Sequence, residues 1–102
     1  MKHLHLEMNE DFKVVAGTSR SQAAIMVLEP SEATGGPDNK HEKSDQWLYV
    51  ISGQGRATVA DQQVELSAGS LLLIEAGETH EIVNTSKSQP LETLNIYAPP
   101  EY

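Results

Sequence analysis

The chain has 102 residues, and 7 basic against 15 acidic side chains leave it a formal net charge of −8. That length suits one module rather than two domains facing a cleft, and that charge disfavours attraction to a phosphate backbone, so nucleic acid is not an expected partner. The absence of cysteine excludes disulfide frameworks, thiolate zinc sites and cysteine nucleophiles together, so any metal must be held by nitrogen and oxygen.

Taken in chain order, the N-terminal MKHLHLEMNEDF meets acidic residues before any apolar stretch of signal-peptide length. The longest apolar run, Ala23 to Leu28, is far too short to span a bilayer. The expectation is a cytoplasmic protein with no membrane contact. Dense punctuation by Gly, Pro, Asp and Ser then separates short runs rich in Val, Ile, Leu and Tyr, the spacing of an all-β sandwich or barrel. Strands are predicted near residues 12–15, 22–28, 38–42, 46–52, 55–60, 62–66, 70–74, 80–83 and 91–97. Ile25, Met26, Val27 and Leu28 are contiguous, which reads as a strand buried on both faces. Trp47, Tyr49 and Ile51 alternate on one strand face and are expected to pack against the opposite sheet or a second subunit. The 55–60 and 62–66 segments read as a hairpin turning at Asp61, with Ala57, Val59, Val64 and Leu66 on one face. The Pro99-Pro100-Glu101-Tyr102 segment reads as an end that cannot extend a ladder. A core this thin gains burial by pairing with a second copy, so a homodimer is expected.

Two stretches carry chemistry. In the second, Gly69 is followed after five residues by Glu75, then by Gly77, His80 and Asn84 at spacings of one, two and three residues. This resembles the second motif of the cupin superfamily, with glutamate where the family has proline. In the first, GGPDNKHEKSDQWLYVISGQG, anchoring on Gly53 places Gln46 at the family's glutamate, His41 at its second histidine and Asn39 at its first. The chain thus resembles a small single-domain bacterial cupin with a degenerate first motif. The resemblance covers about residues 22–97 and implies one cupin domain over 1–102, an all-β double-stranded β-helix or jelly-roll barrel.

In the family those four positions bind a divalent transition metal (Mn, Fe, Ni or Zn). The resemblance therefore implies Asn39, His41, Gln46 and His80 as the metal ligands here. A physical reason supports the grouping: Asn39 and His41 are two apart on one strand, Gln46 starts the next, and His80 comes from a distant one. Barrels of this kind hold one ligand in the interior. Asn39, His41, Gln46 and His80 bring no negative charge when the imidazoles are neutral, so metal affinity is expected to be lower than at an intact site. Asp45 or Glu75 could supply a carboxylate, while alternation points Glu42 away. Asn39 and Gln46 could instead satisfy turn and backbone groups. Asn84 reads as a structural cap after the His80 strand. His3 and His5 repeat the alternating pattern but lie at the N-terminus without a following carboxylate at useful spacing.

Three functions follow. The chain binds a divalent metal and a small polar metabolite inside the barrel; or it is a metal-free module for a small ligand such as a sugar or carboxylic acid; or it is a structural or partner-binding barrel without chemistry. Fold analogy does not separate them, and with no general base evident beyond the histidines the residues assign no reaction.

Overall fold

Along Asp45–Ser52 and Leu91–Ala98 every second side chain is buried, the period of strands that lay one face on a core. The computed structural model describes residues 1–102, apart from the side chains of Pro37 and Asp38. Among the described residues there are nine strands and no helix: β1 (Phe12–Gly17), β2 (Gln22–Leu28), β3 (Ala33–Lys40), β4 (Asp45–Ser52), β5 (Gln54–Val59), β6 (Gln62–Ser67), β7 (Leu71–Ile74), β8 (Thr79–Asn84) and β9 (Leu91–Ala98). They form two antiparallel sheets, one of five strands in the order β1-β2-β9-β4-β7 and one of four in the order β3-β8-β5-β6. The inner faces enclose an apolar cluster that includes Met26, Leu28, Leu48, Val50, Ile74, Ile82 and Leu91. Among the described residues no helix is long and apolar enough to cross a membrane.

The register places inward side chains in rows. Tyr97 of β9 lies opposite both Gln22 of β2 and Gln46 of β4, and Asn95 opposite both Ala24 and Leu48. In the other sheet His80 of β8 faces Val59 of β5, and Ile82 faces Ala57. The β5–β6 hairpin turns at Ala60 and Asp61, both with positive φ, the backbone that lets a two-residue loop follow the strands' twist. Ala57 and Val64 are directly opposite and so share a face. Between β4 and β5 the chain passes from one sheet to the other at Gly53, whose φ is 96°. A β-carbon there would run into the Pro90 carbonyl, so this crossing is open only to glycine.

Three expectations change. The strand expected over 38–42 is β3, which begins at Ala33 and ends at Lys40. Its ladder to β8 shifts register between Gly35 and Lys40, and the left-handed backbone of Gly35 is compatible with a strand only as an irregularity. Trp47, Tyr49 and Ile51 do not pack against the opposite sheet. Gln46, Leu48 and Val50 take the inner face of β4, while the Trp47 set remains exposed on the outer face beside Leu71 and Leu73 of β7. Third, the 99–102 segment is more than a strand end. It leaves the ladder and turns back toward Gln22 and Ser44, which hydrogen-bond to its backbone.

Candidate functional site

A cavity of about 400 Å³ lies between the β1–β2 side of one sheet and the β3–β8 side of the other. Met26, Leu28 and Ile82 give it an apolar floor, while Thr34, Asn39, Gln46 and His80 give it polar walls, and Phe12, Tyr97 and Tyr102 bring aromatic rings to it. Asp11 and Glu32 stand on its lining, and among the described residues the lining holds no Lys or Arg.

The structure brings together the four positions singled out by sequence, in a line rather than a ring. Asn39 Nδ2 lies 3.3 Å from His80 Nε2, the His80 and His41 rings are 4.8 Å apart, and His41 Nε2 is 3.1 Å from Gln46 Oε1. Asn39 is exposed at the edge of the cavity and lies over Gly35, which has no side chain: a β-carbon on Gly35 would collide with the Asn39 amide. Because β3 ends at Lys40, His41 does not share a strand with Asn39. It comes from the turn before β4, its carbonyl accepting the Gly77 N–H at 2.7 Å, so the glycine turn ahead of β8 anchors it. His41 is buried and is not among the side chains that line the cavity. It stands behind Gln46 and His80.

Neither proposed source of charge reaches these groups. Asp45 Oδ1 accepts the Ala76 N–H at 2.9 Å, and Glu75 is exposed in the turn that Glu78 braces through the Glu75 N–H. Glu42 is exposed and pairs with Lys40. The carboxylate that does arrive is Glu101, whose Oε2 lies 3.4 Å from His41 Nδ1. His3 and His5 are exposed on the segment before β1, where His5 borders a groove with Lys13, Val15 and Ile25. Asn84 is structural, with Nδ2 donating to the Leu28 and Gln89 carbonyls and Oδ1 accepting from the Ser86 N–H.

Sequence reasoning missed Tyr97, Asn95, Glu101 and Tyr102. Alternation along 91–97 could have found the first two, which share the buried face with Leu91 and Thr93. No local pattern announces the other two, since they follow a proline pair that ends the ladder.

Residues 24–97 match the family model described as the cupin domain. The chain is a cupin. It is 28% identical over 96 residues to an uncharacterized protein of Acanthamoeba polyphaga mimivirus, an alignment covering 88% of the cupin described here and 57% of that protein. The chain thus spans little more than half of that relative. A crystal structure of a Bacillus halodurans protein superposes with a TM-score of 0.84 at 28% identity, covering 90% of this cupin and 72% of the other chain. A protein from Thermotoga maritima described as a predicted oxalate decarboxylase gives a TM-score of 0.77 at 24% identity, with 87% and 79% covered, a likeness of fold alone.

Cupins often hold a divalent metal, and the donors present here do not fit one. Among the described residues no three of His, Cys, Asp or Glu come together closely enough to hold a metal ion. The line consists of two imidazoles and two amides, and amide oxygens are weak donors that add no charge to offset a divalent cation.

Burial pushes the His80 imidazole below its usual range, and neighbouring His41 pushes the same way, against the opposing bond to the Glu78 carbonyl. With the folded-state value below the unfolded 6.5, the unfolded chain binds the proton first as pH falls. His80 therefore contributes stability that is present above that pH and lost on acidification below it. In chelator-treated protein the melting temperature is expected to fall as pH drops below about 6.5, and more shallowly in His80→Gln. Equal slopes in the two proteins would overturn this. Tyr97 acts at the other end: burial, with Tyr102 and Glu101 adding to it, raises its hydroxyl above the usual 10.0, so its contribution is lost as pH rises past that value.

Proposed function

We propose that this cupin binds a small, uncharged, hydroxyl-rich ligand such as a monosaccharide in the cavity, without a resident metal. The observation that carries this reading is the lining: neutral amides and an imidazole beside aromatic rings, with Asp11 and Glu32 and, among the described residues, no Lys or Arg. Neutral donors and acceptors at fixed positions over an apolar floor suit hydroxyl groups and a sugar's C–H face. A carboxylic acid would meet two carboxylates and no cation, in a chain of net charge −8. The Thermotoga neighbour's description as a predicted oxalate decarboxylase therefore does not carry over. His80, held at Nδ1 by the Glu78 carbonyl, has Nε2 against the Asn39 amide nitrogen, so in this reading the ring fixes Asn39, and the Asn39 and Gln46 amides meet the ligand.

NMR titration of chelator-treated protein with neutral monosaccharides and the matching uronates tests the reading. The neutral members are expected to shift the Asn39, Gln46 and His80 side-chain signals at lower concentration than the uronates. Tighter binding of the uronates, or a response only after metal is added, would overturn it.

We also propose that two copies meet through the outer face of β4 and β7. Trp47, Tyr49, Ile51, Leu71 and Leu73 are all exposed there. In this reading the pair works in the cytoplasm and engages neither nucleic acid nor membrane. Light scattering is expected to give a dimer at high micromolar concentration that Trp47→Glu dissociates; a monomeric parent protein would refute it.

A further inference from the structure

We infer that the 99–102 segment belongs to the ligand site: Glu101 is a positioning residue that orients His41 and, through it, the Gln46 amide, and Tyr102 is a wall of the cavity. This rests on the ligand reading above and adds residues that lie outside both cupin motifs.

The segment is held by side chains rather than by a ladder. Gln22 is the first inward residue of β2 and is buried. Its Oε1 accepts from the Glu101 and Tyr102 N–H groups at 3.2 and 3.0 Å, and its Nε2 donates to the Tyr102 carbonyl at 2.7 Å. Ser44 Oγ donates to the Pro99 carbonyl at 2.7 Å. Spending an entire buried amide on three backbone groups of one short segment fixes that segment's position.

The result is a contact at each end. Tyr102 packs with its ring centroid 4.9 Å from Phe12 and 5.2 Å from Tyr97, and all three rings line the cavity. Glu101 faces His41 Nδ1 at 3.4 Å. An ionised carboxylate only accepts, so the proton it faces sits on Nδ1, which leaves Nε2 as an acceptor. In this reading Gln46 meets Nε2 with its NH₂ and turns its oxygen toward Asn95, a half-turn from the orientation in the structure, where Oε1 faces His41 Nε2 and the Gln46 nitrogen donates to Asn95 Oδ1. In the opposite orientation of these amides, Asn95 Nδ2 is buried without a partner. A half-turn of both amides gives that nitrogen the Gln46 oxygen to bond and leaves an unpaired oxygen instead, the better tolerated of the two. His80 Nδ1 meets a backbone group instead, hydrogen-bonding the Glu78 carbonyl at 3.3 Å. Each ring thus has Nδ1 facing an oxygen and Nε2 facing an amide, and in this reading Gln46 presents to the ligand the face that Glu101 sets.

Long-range ¹H–¹⁵N spectra of ligand-free, chelator-treated protein report the imidazole tautomers directly. Both His41 and His80 are expected to show the Nδ1–H form. Glu101→Ala should abolish that preference at His41 and leave His80 unchanged, while Glu101→Gln, which keeps an acceptor oxygen, should restore it. Gln22→Ala should reproduce the Glu101→Ala signature by releasing the segment. An unchanged His41 tautomer in Glu101→Ala would overturn the proposal, and that side chain is partly exposed, so the variant does not strip the core. A failed sugar titration alongside the expected tautomer shifts would refute the ligand class and leave the positioning role standing.

Discussion

Asn39→His combined with Gln46→Glu is expected to raise affinity for Mn, Ni or Zn by on the order of a hundredfold or more. The positions are already in place. Asn39 Nδ2 lies 3.3 Å from His80 Nε2, and Gln46 Oε1 lies 3.1 Å from His41 Nε2. Replacing both amides yields three imidazoles and one carboxylate on supports that exist. The carboxylate supplies the charge the native line lacks, and its attraction to a divalent ion, even strongly screened, is worth roughly a few kcal/mol, with each 1.4 kcal/mol or so being tenfold. The structure adds a cost that size alone does not suggest. Gln46 is 4% exposed, so a carboxylate there is poorly solvated until metal arrives. The metal-free double variant should therefore melt below the parent protein and recover when metal is added. Calorimetry on the folded variant decides the matter, and an affinity equal to the parent's would show that Asn39 and Gln46 do not occupy the family's ligand positions.

Asn84→Ala is expected to cost about 3 kcal/mol of stability, because a single side chain holds three chain segments. Asn84 is 1% exposed, donates to the carbonyls of Leu28 and Gln89 at 2.9 Å each, and accepts from the Ser86 N–H at 2.8 Å. It therefore joins the end of β2 to the end of β8 and to the turn leading into β9. Truncation leaves buried backbone groups with no replacement partner. Asn95 is a sharp control. It is 0% exposed, yet one end of its amide meets Gln46 and Thr93 only at 3.4 Å and the other end has no partner, in either orientation of the amide. Asn95→Ala should cost less despite equal burial. Urea unfolding of the two variants tests the order, and the reverse order would break the argument.

The second half of the site was legible because its chemistry is local. Gly69 and Gly77 have φ of 93° and 87°, turns that favour glycine on both flanks of β7. From Gly77 the next strand begins at Thr79 and delivers His80 inward by simple alternation. The first half was harder. Gly35, Gly36 and Pro37 read as loop punctuation, yet they lie inside β3, whose register shift displaces His41 into a turn. Phase was the difficulty in β4, where both faces carry large apolar side chains. Leu48 and Val50 compete with Trp47, Tyr49 and Ile51, and only the position of the second sheet decides which set is covered. Glu101 shows the remaining limit. Its nearness to His41 depends on three bonds made by Gln22, a contact across the chain that no spacing encodes.

Trp47 is the sole tryptophan, and its 43% exposure changes what an optical experiment sees. An indole already in contact with water in the folded chain offers little contrast on unfolding, so tryptophan emission is a poor witness to the melting of a core centred on Leu48, Val50 and Ile82. The same indole is well placed to report on its own face. As copies cover β4 and β7, its emission should move to shorter wavelength with rising protein concentration, while circular dichroism, which follows the strands, stays constant. Fluorescence and dichroism would then give different transitions for one protein, the first tracking contact between molecules and the second tracking the fold.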